Sequence, residues 1–492
     1  MIFNINNTYT RIEDCNILSE LTKLCSFTHA RFFRRRVSQR DIDSGKASRG
    51  QKWITERKEQ TYNYFNQRDM TVPTGILYKI FKYLDNNNIK FDVKDKREKP
   101  EKIKAKPDFD MPVLRDYQES ALERSVERER GILHMACNSG KTYVCIKLVD
   151  YFWIPTLYIV PNKTLLTQTY NLFKEYFGDY VGIIGGGKFD VRLINIATIQ
   201  TLWTRFNLLE TKKLLNSVVL LVYDEIHHLN FKSIKQLRKG ASPFNTHYQI
   251  AMAMSNAYYR FGMSATIGNE GSLERGLLES CTGPVIYTTS QSQLIENSFS
   301  VKPRIKMICY NVEGEFPDWQ TAYRELIHNN RDFNQYVVNI IEYYSNLEKS
   351  ILIILTRTQT QMKILMELMP NALFIHGKTT DKQREVLLGE FQSGREKVLF
   401  STVLNEGANL PAIDVLILPC GNKSLKLIEQ RVGRSVRTRT GKESVTIIDF
   451  MFKGNKWLRN HSLERKRYFK GEKKFEFEMV EEDFFKKVDR FT

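Results

Sequence analysis

Short apolar runs recur along this chain, separated by stretches with helical spacing, and the runs are apolar on both faces. In the first half they fall at 131–135, 156–160, 193–197, 218–223 and 259–263. A strand that must hide both faces needs cover above and below, and strands joined through helices come out parallel. The series restarts after Pro303, at 351–355, 372–375, 397–401, 415–418 and 444–448. The pattern predicts an α/β chain with two tandem parallel-sheet domains, at 111–290 and 291–455. A chain of 492 residues with 42% hydrophobic content can bury more than one core.

Outside these domains the patterns change. Residues 1–92 read as a small α+β domain with helices at 13–25 and 75–86 and a polar, basic stretch at 38–60. Residues 94–106 are charged, contain Pro100 and are followed by Pro107. With almost no apolar periodicity they read as a linker, 93–110. Residues 456–492 are charged and aromatic, and read as a short helical tail.

Lysine and arginine number 74 against 56 aspartates and glutamates, a net charge of +18, which suits a polyanionic partner such as nucleic acid. The excess is uneven. It gathers in Arg31-Phe32-Phe33-Arg34-Arg35-Arg36, in the lysines of 94–106, and around Arg465, Lys466, Arg467, Tyr468 and Lys470. Aromatics beside arginines can stack on bases, so the first cluster is a candidate duplex-binding surface; a solubilising face is the alternative. The seven cysteines form no Cys-x-x-Cys pair, so neither a disulfide framework nor a zinc site is expected. No apolar stretch approaches the roughly 20 residues of a membrane helix, and the polar amino terminus lacks a signal core. A cytoplasmic protein with no membrane partner is expected.

Two segments carry a nucleotide chemistry. Ala136-Cys137-Asn138-Ser139-Gly140-Lys141-Thr142 follows an apolar run and opens a helical one. Such a turn offers backbone N–H groups and an ammonium to a polyphosphate, and the Thr142 hydroxyl to Mg²⁺. Met135 stands where the usual phosphate loop has its first glycine, and Asn138 is the non-glycine residue best suited to a left-handed turn. Asp224-Glu225-Ile226-His227 closes the run at 218–223. There Asp224 can hold the Mg²⁺, and Glu225 can orient the attacking water. Either segment alone is a modest signal; their order and strand contexts make the pair specific.

Further candidates follow in chain order. The Gln118 amide can pair with an adenine edge, although an isolated helical glutamine is more often solvated. Ser264-Ala265-Thr266 ends the strand after Asp224 and could link the Mg²⁺ side to the neighbouring domain; such residues usually only cap. In Gln430-Arg431-Val432-Gly433-Arg434-Ser435-Val436-Arg437 a spacing of three puts Arg434 and Arg437 on one helix face, as candidate arginine fingers.

In this order the segments at 114–118, 136–142, 158–161, 197–202, 224–227, 264–266, 376–377, 401–407 and 430–437 resemble the motifs of superfamily-two helicases of the DExH type. The resemblance implies two RecA-like domains and ATP hydrolysis, dependent on Mg²⁺, coupled to movement along one nucleic-acid strand, with three-prime to five-prime polarity usual. It implies catalytic roles for Lys141, Asp224, Glu225, Arg434 and Arg437, and Mg²⁺ ligation by Thr142 and Asp224. ATP would be held by Gln118, Asn138, Ser139, Gly140, Lys141, Thr142, Gly407 and Gln430. Nucleic acid would meet Pro161, Lys163, Thr198 and Gln200 in the first domain, Thr356, Arg357 and Thr402 in the second, and Arg34, Arg35 and Arg36 in the amino-terminal domain.

Within that superfamily the chain looks most like the phage recombination and fork-remodelling helicases of the UvsW type. That resemblance rests on the helix start Pro73-Thr74-Gly75-Ile76-Leu77, on Gly185-Gly186-Gly187-Lys188 and on the basic tail. It implies a monomeric motor on branched DNA (Holliday junctions, forks, displacement loops), with recombination or single-strand-binding proteins as further partners. The host cytoplasm is the compartment if a phage encodes it. Asn409 departs from the aspartate of many relatives. The alternatives are an RNA or R-loop helicase, a restriction-system translocase, and a non-enzymatic nucleic-acid-binding protein with a degenerate ATPase core. Because every triphosphatase motif lies beyond about residue 108, removing 1–107 is expected to spare the ATPase.

Overall fold

The computed structural model describes residues 1–44, 46, 53–229, 246–355, 359–403, 413–420, 425–436 and 442–486. The chain forms two compact units. One comprises 1–134 and 142–288, the other 135–141 and 289–492.

The first unit is built on an eight-stranded sheet. From one edge the strands are Lys188–Phe189, Val181–Gly185, Ile194–Thr198, Thr156–Val160, Leu220–Tyr223, Tyr259–Ser264, Arg130–Met135 and Val285–Thr289. The six from Val181–Gly185 to Arg130–Met135 run parallel, and Lys188–Phe189 pairs antiparallel at the edge. The strands Thr156–Val160 and Leu220–Tyr223 are buried throughout, as their two-faced apolar sequences require. The second unit holds seven strands, all parallel: Leu373–Ile375, Val398–Ser401, Ile351–Ile354, Val415–Ile417, Ser444–Lys453, Lys302–Asn311 and Glu476–Glu481. The fold class is therefore the expected one: mixed α/β, with two RecA-like parallel sheets and an α+β amino-terminal region.

The carboxyl-terminal segment contains its helix, Lys456–Gly471, and beyond it adds the strand Glu476–Glu481 beside Lys302–Asn311. Arg465 corrects the reading of charge there. It is fully buried, not a basic surface group, and its Nε lies 2.8 Å from Asp449 Oδ2. Nη2 donates to Phe450 O at 2.9 Å. A buried guanidinium is tolerable because it is paired and hydrogen-bonded, and here it ties the tail helix to strand Ser444–Lys453.

In the amino-terminal region a mixed sheet orders its strands as Thr71–Pro73, Tyr9–Glu13, Ile2–Ile5 and Asp92–Asp95. The helix expected at 13–25 is shorter, Leu18–Leu24, because Tyr9–Glu13 is a strand. Ser26–Arg36 and Trp53–Asn63 form a long antiparallel ribbon, in which Arg31 is level with Lys58, Phe32 with Arg57 and Arg36 with Trp53.

This region shares one core with the first motor domain. Phe3, Ile12, Leu21, Val72 and Ile80 belong to the same buried cluster as Leu221, Met254, Leu277, Leu278 and Cys281. Gly75 marks the closest approach. A Cβ there would fall 2.0 Å from Glu279 O, so only glycine lets the two backbones meet. Glu279 is 1% exposed and joins Lys79 Nζ and Arg275 Nε, each at 2.6 Å. The charged stretch 94–106 also lies along this unit. Lys99 pairs with Glu129 and Lys106 with Asp150, each at 2.6 Å, and the Lys102 ammonium stands 3.9 Å from the centre of the Tyr151 ring.

These contacts change what truncation should do. Removing 1–107 strips apolar cover from Leu277, Leu278 and Cys281, so we predict a destabilised, aggregation-prone motor in place of an active one. Glu279→Gln should cost about 3–5 kcal/mol, because two cations lose their carboxylate. Denaturant unfolding checks both. A 1–107 deletion that unfolds at the midpoint of the full chain would contradict the shared core.

Candidate functional site

The phosphate-loop candidate takes the backbone its sequence demands. Asn138 has φ +64° and Gly140 φ +73°, both left-handed, and helix Lys141–Phe152 starts directly after them. Ser139 N donates to Ala136 O at 3.3 Å, closing the turn. The twelve-residue helix therefore presents its amino end, the positive end of its dipole, immediately after this turn. The loop through Lys141 groups with the second unit. There Asn138 Nδ2 donates to Gly433 O at 3.1 Å, and a Cβ on Gly433 would fall 2.3 Å from Cys137 Cβ. The glycine of the arginine-rich helix Leu425–Ser435 is thus set by close approach to this loop.

On the first unit, Asp224 follows strand Leu220–Tyr223 and is 7% exposed. Its backbone N donates to Ile159 O at 2.9 Å, fixing it to the neighbouring strand. Its Oδ1 accepts from Glu225 N at 2.9 Å, and Glu225 takes a left-handed φ of +46°. The Tyr158 phenol lies beside both Asp224 and Thr142; burial first, and then the Asp224 charge, raise its pKa well above the ordinary tyrosine range. The structure thus brings Thr142 and Asp224 to one place, although sequence separates them widely. A hydroxyl and a partly buried carboxylate are a fitting oxygen set for Mg²⁺, and the adjoining helix start fits a triphosphate.

Next to Asp224 runs a histidine relay. His227 Nδ1 lies 2.8 Å from Ser264 Oγ and 3.1 Å from Glu225 Oε2. Ser264 Oγ donates its own proton to Thr266 O at 2.7 Å. It can therefore only accept from His227, which places a proton on Nδ1. Ser264 and Thr266 are in this way joined to the Asp-Glu segment of their own unit. His247 was not singled out in the sequence. Its Nδ1 meets the Tyr223 hydroxyl, and its ring stacks on His228 at 6.2 Å. Burial, then His228 and His227, lower its pKa to about 4.

The remaining candidates are placed unevenly. Gln118 is buried, and its Oε1 accepts from Arg115 N at 2.9 Å, so one prong of its adenine-pairing amide already caps helix Asp116–Arg128. Lys163 is exposed at the first position of helix Lys163–Phe177. Thr198 is buried and hydrogen-bonds Thr201 Oγ1 at 3.0 Å, and Gln200 Nε2 donates to Pro161 O at 2.9 Å. A Cβ on Gly186 would lie 3.6 Å from Lys163 Cε, and one on Gly185 would lie 2.9 Å from Thr198 Oγ1. The triple glycine therefore lies against two of the expected nucleic-acid contacts. Thr402 and Gln430 are buried in the second unit. Gly407, Thr356, Arg357 and Arg437 lie outside the described residues, while Arg434, Arg34 and Arg35 are placed by backbone only. Arg36 is exposed at the end of the ribbon strand.

A helix start after a left-handed turn, a buried Asp-Glu strand end and two RecA-like sheets define a P-loop nucleoside triphosphatase of the tandem-motor class. Residues 111–269 match the family described as type III restriction enzyme, res subunit, and 334–439 match the helicase conserved C-terminal domain. Together these matches span more than half of the chain. The protein belongs to the superfamily-two helicases, and is an ATP-dependent enzyme of that superfamily. It is 27% identical over 386 residues to the DNA 3'-5' translocase XPB2 of Sulfurisphaera tokodaii, covering 69% of this chain and 82% of that one. A protein of Escherichia phage T5 named as a probable helicase is 25% identical over 395 residues, covering 77% and 79%. In fold, the chain resembles Saccharomyces cerevisiae Dbp5 bound to RNA and ADP BeF3, with TM-score 0.53, 17% identity, and 77% and 92% coverage. T4 UvsW aligns over 98% of this chain and 99% of its own at 16% identity, with a TM-score of 0.42, which decides nothing between subgroups. No helix among the described residues is long and apolar enough to cross a membrane.

The histidine beside the relay gives the site a pH signature. Folded His247 resists a proton down to about pH 4, whereas the unfolded chain takes one up near 6.5. Its contribution is therefore complete above pH 7 and is lost as pH falls through the 6.5 to 4 window, by up to about 3 kcal/mol. His247→Gln should flatten that part of a stability profile from denaturant unfolding. An unchanged slope would contradict a buried neutral imidazole.

Proposed function

We propose that this chain is an ATP- and Mg²⁺-dependent DNA helicase or translocase that remodels branched DNA. The observation that carries the ATPase part is the meeting of Thr142 and Asp224 beside one phenol, with the left-handed loop and helix start preceding Thr142. In this reading Lys141 and the amides of Asn138, Ser139 and Gly140 hold the phosphates. Thr142 and Asp224 hold the cation, which when bound neutralises phosphate charge. Glu225 orients the water, and Arg434 and Arg437 meet the developing charge. The His227 and Ser264 relay ties Glu225 to the loop at 264–266, so a change at the nucleotide can be passed on along this unit.

Support for DNA as the track comes from the net charge of +18 and from the relative named as a DNA translocase. Lys163, Thr198, Gln200, Thr356, Arg357 and Thr402 would contact phosphates, which suits movement without sequence preference. Support for a branched substrate comes from the ribbon Ser26–Arg36 and Trp53–Asn63, which carries Arg31, Arg34, Arg35 and Arg36 on a region sharing its core with the first motor domain. A second duplex arm held there would move with that domain.

The test is strand displacement with four-way junction, fork, linear duplex and RNA duplex, each with and without ATP. Junction and fork should be processed fastest and the RNA duplex least; preference for RNA would replace this reading with that of an RNA helicase. Lys141→Ala should lose nucleotide binding, whereas Glu225→Gln should bind ATP and fail to hydrolyse it. Normal turnover in either variant would overturn the assignment. Arg34→Glu, Arg35→Glu, Arg36→Glu together should weaken junction binding while leaving single-strand-stimulated ATPase intact.

A further inference from the structure

The hairpin at the edge of the first sheet, Gly185-Gly186-Gly187-Lys188-Phe189, has neighbours at both ends. At one end Gly185 lies against Thr198, and Gly186 against Lys163. At the other, the Arg205 guanidinium lies over the Phe189 ring, its carbon 4.5 Å from the ring centre. Arg205 sits between Trp203 and Phe206, in a turn where Phe206 N donates to Trp203 O at 3.1 Å. Those two rings stack on each other, with centroids 5.5 Å apart and planes inclined by 27°. Both stay partly exposed at the margin of the core. Ile199 and Leu202 bury the inner face of helix Ile199–Thr204, which leaves Gln200 and Trp203, three residues apart, together on an outer face. The charge around the rings is unbalanced. Arg192 pairs with Asp190 and Arg205 with Glu210, whereas Lys188, Lys212 and Lys213 form no ion pair among the described residues. Stacked aromatics beside an arginine plane, set among unpaired ammonium groups, suit a ligand with flat faces on an anionic backbone.

We propose that Trp203 and Phe206 form a base-stacking step for the single strand that passes Lys163, Thr198 and Gln200: beyond Gln200 one unpaired base settles on the outer face of the stack, while Lys188 meets the backbone beside it. The proposal rests on the reading of Lys163, Thr198 and Gln200 as strand contacts. It adds to them a contact with a base where the others meet phosphates. The hairpin makes the two sets continuous, since it touches Lys163 and Thr198 at one end and Arg205 at the other. Every base has a flat face, so such a step adds affinity without reading sequence, as a moving motor requires. The unpaired lysines select a polyanion over an apolar protein surface as the occupant.

Binding of the full-length chain to a labelled dT oligonucleotide, and to an abasic oligonucleotide of the same length, tests this across a range of salt concentrations. Trp203→Ala should weaken dT binding on the order of tenfold, while abasic binding and the salt slope stay as in the wild type. Trp203→Phe should keep most of the dT affinity, because a ring face remains. Phe206→Ala should show the same split between the two oligonucleotides, and stands in for Trp203→Ala should that variant lower the unfolding midpoint. Unchanged dT binding, an equal loss on both oligonucleotides, or a loss in Trp203→Phe as large as in Trp203→Ala would each overturn the proposal. Lys163→Glu is the control and should weaken both oligonucleotides. If it does so and Trp203→Ala weakens neither, the stacking step alone fails. If Lys163→Glu weakens neither, the reading of the strand contacts fails.

Discussion

A parallel sheet must be covered on both faces, and that constraint sets almost everything else in this molecule. Each buried strand has to leave the sheet at its carboxyl end through a short connection to a covering helix. Those connections therefore line up along one edge. In the first unit the strands whose carboxyl ends reach this edge include Arg130–Met135, Leu220–Tyr223, which the Asp224-Glu225 segment follows, and Tyr259–Ser264, which ends on Ser264. The three strands are neighbours in space though not in sequence. Residues spread over more than a hundred positions are in this way brought to one place, where Thr142, Asp224 and the His227 relay can act on a common ligand.

Much of this was legible in the sequence because the relevant signals are local. A run of apolar residues reports a doubly buried strand regardless of what surrounds it, and most expected runs fall within a residue or two of a strand, although Ser444–Lys453 runs five residues beyond its expected end and Val181–Gly185 and Lys302–Asn311 were not foreseen. Gly140-Lys141-Thr142 and Asp224-Glu225 are likewise chemistry carried by neighbours. What escaped notice depended on distant partners. The ribbon Ser26–Arg36 with Trp53–Asn63 was hidden because its charges mask the alternation of a strand, and only pairing makes it visible. Arg465 read as surface charge because composition cannot show that Asp449 lies 2.8 Å away. Gln118 read as a free amide because its capping of Arg115 is a matter of geometry.

Charge in this chain likewise divides into what is neutralised within the protein and what is left for a partner. Lys79, Lys99 and Lys106 each meet a carboxylate of the first unit, and Arg465 is sealed in the second. The lysine-rich stretch 94–106 thus acts less as an open cationic tether than as a strap laid along the motor. Gly75 and Glu279 then make the amino-terminal region part of the motor domain, so that whatever the ribbon holds is carried with the strokes of that domain.

The central claim is that hydrolysis at this site is coupled to a nucleic-acid track, and steady-state ATP hydrolysis by the full chain, with and without single-stranded DNA over a range of salt concentrations, tests it most directly. The account predicts a slow basal rate that rises strongly with DNA, and a stimulation that fades steeply as salt releases the phosphate contacts. Equal rates with and without DNA at every salt concentration would contradict it.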